Sequence, residues 1–259
     1  MTANPAPAPP VTPKERLIAA CAQLFEGCRH VAVGTSLPLP AAGALLFRAS
    51  QEAEGGSARV SVLGSAEHSF FTNGAVELFD CAAQGRIDAF VLGGGQIDGS
   101  GSINLVGTGP YPRSGVRWPG SFGSSFLAFV VPRVILFREE HSRRVLVEKV
   151  DFVSAPGTSP PGVHRTGGPH ALLTGLARFS FDRGPGRFRL QAVHPGHTLA
   201  EVEDATGFAF DRDGDGEPAA TPDPDAATLA LLRGRVLSEV AETYPEFAGR
   251  LRAEIAAVA

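Results

Sequence analysis

The sequence predicts an α/β fold: an open, mostly parallel sheet with helices on both faces. Short apolar runs at His30–Val33, Arg59–Leu63 and Ile87–Leu92 alternate with amphipathic helical stretches, the order that builds parallel sheets. The run 126–137 (FLAFVVPRVILF) is almost wholly apolar and broken by Pro132, so it reads as a helix end followed by a strand, Val134–Phe137, buried on both faces. With 259 residues and 43% apolar content the chain can bury a sizeable core, and residues 14–259 read as a single domain.

The first predicted helix starts at Thr12, with Pro13 at its first position and Glu15 at capping-box spacing. Leu17, Ile18, Cys21, Leu24, Phe25 and Cys28 follow at helical spacing, which turns both cysteines toward the core as small hydrophobes. Residues 1–13 (MTANPAPAPPVTP) read as a disordered Pro/Ala-rich lead with neither the basic start nor the apolar run of a signal peptide. After the strand His30–Val33, a second helix spans Leu39–Ala49. The strand Arg59–Leu63 places Glu67 and His68 just past its C-terminal end, where open α/β sheets put their sites; solvated loop residues are the plainer reading. Residues 73–85 form an amphipathic helix with Val76, Phe79 and Cys81 or Ala82 inward.

Ile87–Leu92 then runs into the densest glycine cluster of the chain, with Gly93, Gly94 and Gly95 followed by glycines at 99, 101, 107, 109, 115, 120 and 123. Glycine weakens regular elements, so such density beside a strand end implies positive φ angles or close approach of another group. Backbone N–H groups freed there could face a phosphate or a carbonyl oxygen; a run of tight turns is the alternative. No G-x-G-x-x-G occurs, so a dinucleotide fingerprint is excluded.

Beyond it, Val134–Phe137 is a buried strand that emerges into Arg138-Glu139-Glu140-His141-Ser142-Arg143-Arg144. The arginines there read as a solvated face, while His141, between carboxylates and arginines, is placed to change protonation easily. Val145–Val153 reads as a further strand, 156–169 as a loop, and Leu172–Thr174, Ala177–Phe181 and Phe188–Val193 as short strands, the last two a hairpin. His194 and His197 lie on a turn without a nearby third metal ligand. Leu199–Thr206 reads as a short helix. Asp211–Gly216 opens like a calcium loop, but its twelfth position is Pro222, so it reads as an acidic insertion, and no metal is expected. Residues 228–258 are amphipathic helix along Leu229, Leu232, Val236, Val240, Tyr244 and Phe247.

A net charge of −4 without any basic block argues against nucleic acid. No run is long and apolar enough to suggest a membrane span. Three cysteines without a C-x-x-C pair suit a reducing cytoplasm better than a disulfide framework.

Four strings in order resemble one family: GGGQID-x-x-GSIN from Gly93, the W-P-G-S-F-G-S loop from Trp118, His141-Ser142-Arg143-Arg144-x-Leu-Val-x-Lys-Val-Asp151, and His194-Pro195-Gly196-x-Thr198. Together they resemble the B (β) subunit of class I CoA-transferases, in the glutaconate CoA-transferase branch, over roughly Pro13 to Gly207. The resemblance implies a partner A subunit in a heterodimer or heterotetramer, an active site shared with it, and an acyl-CoA substrate. Coenzyme A would then be a cosubstrate, with no permanently bound cofactor.

It also implies a nucleophilic glutamate in a Glu-x-Gly setting at an early strand end. The matching string here is Val62-Leu63-Gly64, and valine cannot form an acyl intermediate. Three readings follow: a transferase subunit using Glu67 or another acid, a CoA-thioester decarboxylase or hydrolase on the same fold, and a non-catalytic structural partner of the A chain. In the enzymatic readings Val62 and Gly64 border the acyl group. Amides of Gly93, Gly94, Gly95, Gly120, Ser121, Phe122 and Gly123 hold the thioester or a carboxylate. Gln96, Asp98 and Asn104 orient the acyl or pantetheine part, and His141 carries a proton.

Overall fold

The computed structural model describes residues 9–72, 74–214 and 216–258. Most of the predicted N-terminal lead and Asn73, the first residue of the third predicted helix, lie outside them.

The chain opens as its capping box dictates. Helix α1 (Pro13–Gln23) is capped by Thr12, whose Oγ1 accepts from the Glu15 amide at 3.2 Å while Glu15 Oε2 accepts from the Thr12 amide at 2.9 Å. Glu15 is fully buried, and Arg233 Nε donates to its other oxygen at 2.6 Å, which ties the start of the chain to its last helices. Strand β1 (His30–Val33), helix α2 (Pro38–Ala53), strand β2 (Arg59–Val62), helix α3 (Ala75–Ala83) and strand β3 (Ala89–Gly93) follow in the predicted order.

A two-stranded ribbon pairs β6 (Gly107–Thr108) with β7 (Val116–Arg117), and the main sheet has seven strands, whose order runs from the last strand of the chain at one edge to β2 at the other, with β3 and β1 adjacent inside it. β2, β1, β3, β8 (Arg133–Arg138) and β10 (Pro169–Thr174) are mutually parallel, and β11 (Ala177–Asp182) and β12 (Arg187–Val193) extend them as an antiparallel edge. The mostly parallel sheet is therefore as predicted. One face packs on α1, α2 and the C-terminal helices around Ile18, Phe25, Leu45, Val60, Val62 and Leu232. The other packs on α3, on α4 (Ser124–Val130), on α5 (Leu199–Ala205) and on a small sheet of β4 (Gln96–Asp98), β5 (Ile103–Asn104) and β9 (Leu146–Val147), around Leu78, Phe90, Ile97, Ile103 and Phe188. Each fully buried phenylalanine or leucine contributes about 2–3 kcal/mol by leaving water.

Two expectations fail. The predicted strand Val145–Val153 pairs only at Leu146–Val147, against β4, because no second strand lies beside the rest of it. Val76 points outward at 59% exposure and Leu78 is buried in its place, while Cys81 and Ala82 are buried as expected. The C-terminal stretch runs as α6 (Ala226–Leu231), a π-helical turn (Leu232–Val236), α7 (Leu237–Thr243) and α8 (Pro245–Val258), with Leu229, Leu232, Val236, Val240 and Phe247 buried as the periodicity requires. Cys21, Cys28 and Cys81 are free and buried, and burial pushes the Cys21 thiol up to about 12. No helix among the described residues is long and apolar enough to cross a membrane.

Candidate active site

In a parallel sheet a crevice opens at the C-terminal ends of the strands where the order of connection reverses. Here that point lies between β1 and β3, since the chain goes from β1 outward to β2 and then crosses to β3 on the other side. The backbones come close there: a Cβ on Gly34, the residue after β1, would stand 3.3 Å from the Val91 carbonyl oxygen.

A cleft of two lobes occupies this place. The apolar lobe, about 260 Å³, is walled by Leu63, Leu78, Phe90, Leu105 and Leu127, with Gly120, Ser121, Phe122 and Ser124 along one side. The polar lobe, about 510 Å³, is bounded by Ser36, Phe137, Arg138, Glu139 and Glu140. Gly93 and Leu37 border both. Each lobe is on the scale of a pocket for part of a small-molecule substrate.

Of the residues expected to bind substrate, Gly93, Gly120, Ser121 and Phe122 line the apolar lobe. Gly64 is exposed in the turn after β2, where a Cβ would lie 3.9 Å from Thr35, another residue of that lobe. Phe122 is held at φ 42°, an uncommon conformation for a bulky residue, with 80% of its surface exposed and its ring 5.7 Å from that of Phe79.

Gly94, Gly95 and Gly123 are glycines for packing. A Cβ on Gly95 would lie 2.3 Å from the Trp118 ring, one on Gly94 2.8 Å from Ile97, and one on Gly123 2.2 Å from Phe79. The Gly95 and Gly120 amides, expected to hold a ligand, donate instead to the Asn104 and Leu105 carbonyls at 2.9 and 3.1 Å.

Gln96, Asp98 and Asn104 also depart from expectation. Asn104 Nδ2 donates to Gln96 Oε1 and to the Gly107 carbonyl, both at 2.7 Å, while its Oδ1 accepts from the Val106 and Gly107 amides. Gln96 Nε2 donates to Asp151 Oδ2 at 3.1 Å, and Gln96 Oε1 also accepts from the Asp151 amide. Asp98 Oδ1 takes the Ser100 amide and hydroxyl and the Ser102 amide, and Oδ2 takes the Val150 amide. All three are buried with their hydrogen-bonding capacity spent inside the chain, so they brace the glycine stretch and do not orient a substrate.

Val62 is buried at 1% within the α1–α2 side of the core, and Leu63 rather than Val62 reaches the cleft. The strand's alternation decides this, because neighbours on a strand point to opposite faces. Glu67 is exposed in the turn after β2 and borders neither lobe. His141 is not a free proton carrier: its Nδ1 lies 2.7 Å from Thr174 Oγ1 and its Nε2 2.9 Å from Thr206 Oγ1. Burial lowers its pKa to about 4, which keeps it neutral.

Two cleft residues escaped the sequence reading. Ser124 is 4% exposed, lines the apolar lobe, and its Oγ has no hydrogen-bond partner among the described residues. It is the last residue of the string that starts at Trp118, which was the available signal. Glu139 lies in the polar lobe at the end of β8, exposed, with a carboxylate that bonds to no described residue. Its neighbour Glu140 differs: the Ser142 hydroxyl, then Arg144 and Arg138, hold that carboxylate below its usual range. No group of three metal-ligating side chains occurs among the described residues.

Comparison with known proteins places this geometry. The coenzyme A transferase family model matches residues 50–205, and the chain belongs to that family. It is 33% identical over 132 residues to the B subunit of the 3-oxoadipate CoA-transferase of Pseudomonas knackmussii, covering 49% of this chain and 50% of that protein. It is 32% identical over 158 residues to the B subunit of the glutaconate CoA-transferase of Acidaminococcus fermentans, covering 58% and 57%. The chain thus spans about half the length of these two relatives. A longer match, 29% identical over 247 residues and covering 86% and 91%, is to the cholesterol ring-cleaving hydrolase IpdB subunit of Rhodococcus jostii.

Among solved structures, a variant of the decarboxylase AibA/AibB superposes with a TM-score of 0.70 at 25% identity, over 86% of this chain and 95% of that one. The Acidaminococcus fermentans glutaconate coenzyme A-transferase gives 0.74 at 23%, over 88% and 95%, a likeness of fold.

Proposed function

We propose that this chain is the B subunit of a two-subunit enzyme of its family, acting on an acyl-CoA thioester in the cleft between β1 and β3, with residues 14–259 as one unit. The observation that carries the reading is the junction of an apolar lobe, holding the unpartnered Ser124 hydroxyl, with a polar lobe holding Arg138 and the unpaired Glu139. An acyl chain suits the first lobe. The thioester or a substrate carboxylate suits the second, where Arg138 supplies charge and Glu139 can take a proton or attack. Coenzyme A enters as cosubstrate and leaves with the product.

An A subunit is the expected partner. Its place is supported by the exposed Phe122 and Phe126 around Phe79 at the rim of the cleft, 5.7 and 5.5 Å from the Phe79 ring. Exposed apolar area of this kind marks contact surfaces. Residence in the cytoplasm accords with three free cysteines.

Decarboxylation or hydrolysis of a CoA ester is the second reading. The position matching the family's nucleophile is Val62, whose side chain faces the helices. The test is to incubate the co-purified complex with acyl-CoA and borohydride and map any adduct. A glutamyl adduct at Glu139 with ping-pong exchange supports transfer; turnover with no adduct supports decarboxylation or hydrolysis. A complex that neither binds nor turns over any acyl-CoA ends both and leaves a structural partner.

A further inference from the structure

The opposite end of the same sheet carries a second cavity. The strands β1, β2 and β3 run parallel, so their first residues share one edge, remote from the cleft. There Arg59 opens β2, Arg29 precedes β1 and Arg86 lies two residues before Asp88 at the approach to β3, around a cavity of about 440 Å³ walled by Phe70 and Phe71.

The acidic groups of this cavity are committed. Asp88 accepts from the Arg29 and His30 amides at 2.7 and 2.9 Å and pairs with Arg29 at 3.3 Å. Glu77 accepts from the Thr72 hydroxyl at 2.7 Å. The floor, His30, is 8% exposed, with Nδ1 3.1 Å from the Arg86 carbonyl and Nε2 2.8 Å from Ser61 Oγ. Burial lowers its pKa; the Arg86 carbonyl opposes this, and the Arg59 and Arg86 charges add to it, so the net direction favours the neutral imidazole. The Arg59 guanidinium lies 5.3 Å over the Phe70 ring, and neither it nor that of Arg86 bonds to a described carboxylate. Phe71 stacks near His30 at 6.0 Å, and Phe70 remains 46% exposed.

Two unpaired guanidinium groups recognise phosphoryl oxygens through charge-assisted, bidentate bonds. An inorganic anion would use only a small part of 440 Å³ and leave the phenylalanine walls wet. We infer that this cavity binds a nucleoside diphosphate, with its phosphates on Arg59 and Arg86 and its base against the Phe70 and Phe71 side. The inference does not depend on the reaction proposed for the cleft.

Calorimetric titration of the intact protein, co-purified with its partner chain where one associates, tests it with ADP and with pyrophosphate as probes. ADP is expected to bind more tightly than pyrophosphate, and more weakly as salt rises. Arg59→Gln with Arg86→Gln should weaken ADP roughly tenfold or more, about the loss of one charge-assisted contact. Phe70→Ala should weaken ADP and leave pyrophosphate unchanged, and a circular dichroism spectrum like that of the parent shows the variants folded. Pyrophosphate binding as tight as ADP overturns the nucleotide assignment. No ADP binding at millimolar concentration, or ADP binding that survives the double substitution, overturns the site itself.

Discussion

The polar triad Gln96, Asp98 and Asn104 and the cleft wall Gly120–Ser124 belong to one glycine-rich stretch, yet they do opposite work. The triad is buried, and its hydrogen-bonding groups are met from within the chain. The wall exposes the Phe122 ring, holds its backbone in an uncommon conformation, and leaves the Ser124 hydroxyl unmet. Polar side chains beside a strand end are thus no guide to where a ligand goes; unsatisfied groups are. The triad also joins two of the strings that resemble the family, because Gln96 binds Asp151 and Asp98 takes the Val150 amide. Part of what makes the sequence familiar is scaffold.

The largest effect should come from breaking the scaffold. Asn104→Ala strands the Val106 and Gly107 amides and the Gly107 carbonyl, all buried, while Gln96 Oε1 keeps the Asp151 amide. At about 1–3 kcal/mol for each stranded group, partly relieved by water, a loss of about 4 kcal/mol in denaturant unfolding is expected. A loss below about 1 kcal/mol would show that the triad is not the brace it looks to be.

Acid should find the same half of the molecule. His194 donates from Nε2 to the Thr174 carbonyl at 2.9 Å and accepts at Nδ1 from Thr221 at 2.7 Å, a network that suits the neutral ring, while His141 lies between the Thr174 and Thr206 hydroxyls. Burial lowers both pKa values to about 4, below the ordinary histidine value. The unfolded chain therefore binds protons first as pH falls. The stability they give is complete above about pH 6.5 and drains between there and about pH 4, by on the order of 3 kcal/mol for each histidine. Melting temperatures measured from pH 7 to pH 4 in the parent and in His194→Asn should show the smaller slope in the variant. Equal slopes would put the acid sensitivity elsewhere.

The fold was legible where local chemistry decides it. Thr12 and Glu15 announce a capping box that forms, and the apolar runs become the strands in the predicted order. It was not legible where a partner strand decides: Val145–Val153 reads as strand throughout, yet pairs only across from Ile97 and Asp98. The cleft was half legible for a similar reason. Gly93 and Gly120–Phe122 stand out by their glycines, but Leu37, Leu63 and Glu139 join them only because topology brings the ends of β1, β2, β3 and β8 together. Burial, which a sequence does not display, separates His141 from a proton carrier.

A smaller effect should sharpen the contrast from the cleft side. Ser124→Ala removes a buried hydroxyl that binds nothing in the chain, so stability should hold or rise slightly. If that hydroxyl meets the substrate, kcat/KM for acyl-CoA should fall roughly tenfold, about 1.4 kcal/mol of transition-state binding. Unchanged kinetics would remove Ser124 from the site.

The smallest effect is also the most discriminating, because its two readouts should move in opposite directions. Phe122 sits at φ 42°, a region that costs a residue with a side chain about 1 kcal/mol and costs glycine little. With 80% of its surface exposed, its ring contributes little to the isolated chain beyond the contact with Phe79. Phe122→Gly should therefore leave the isolated chain as stable as before, or more stable by up to about 1 kcal/mol. The same change removes the most prominent apolar group at the mouth of the cleft, so affinity for the proposed acyl-CoA ligand, association with the proposed A subunit, or both should weaken. Strain kept at a position that the lone fold does not need implies that something outside the fold uses it. Thermal unfolding of the isolated chain, set beside acyl-CoA titration and size exclusion with the partner, separates the outcomes. A destabilised chain with normal binding and assembly would make Phe122 a packing residue like the glycines behind it.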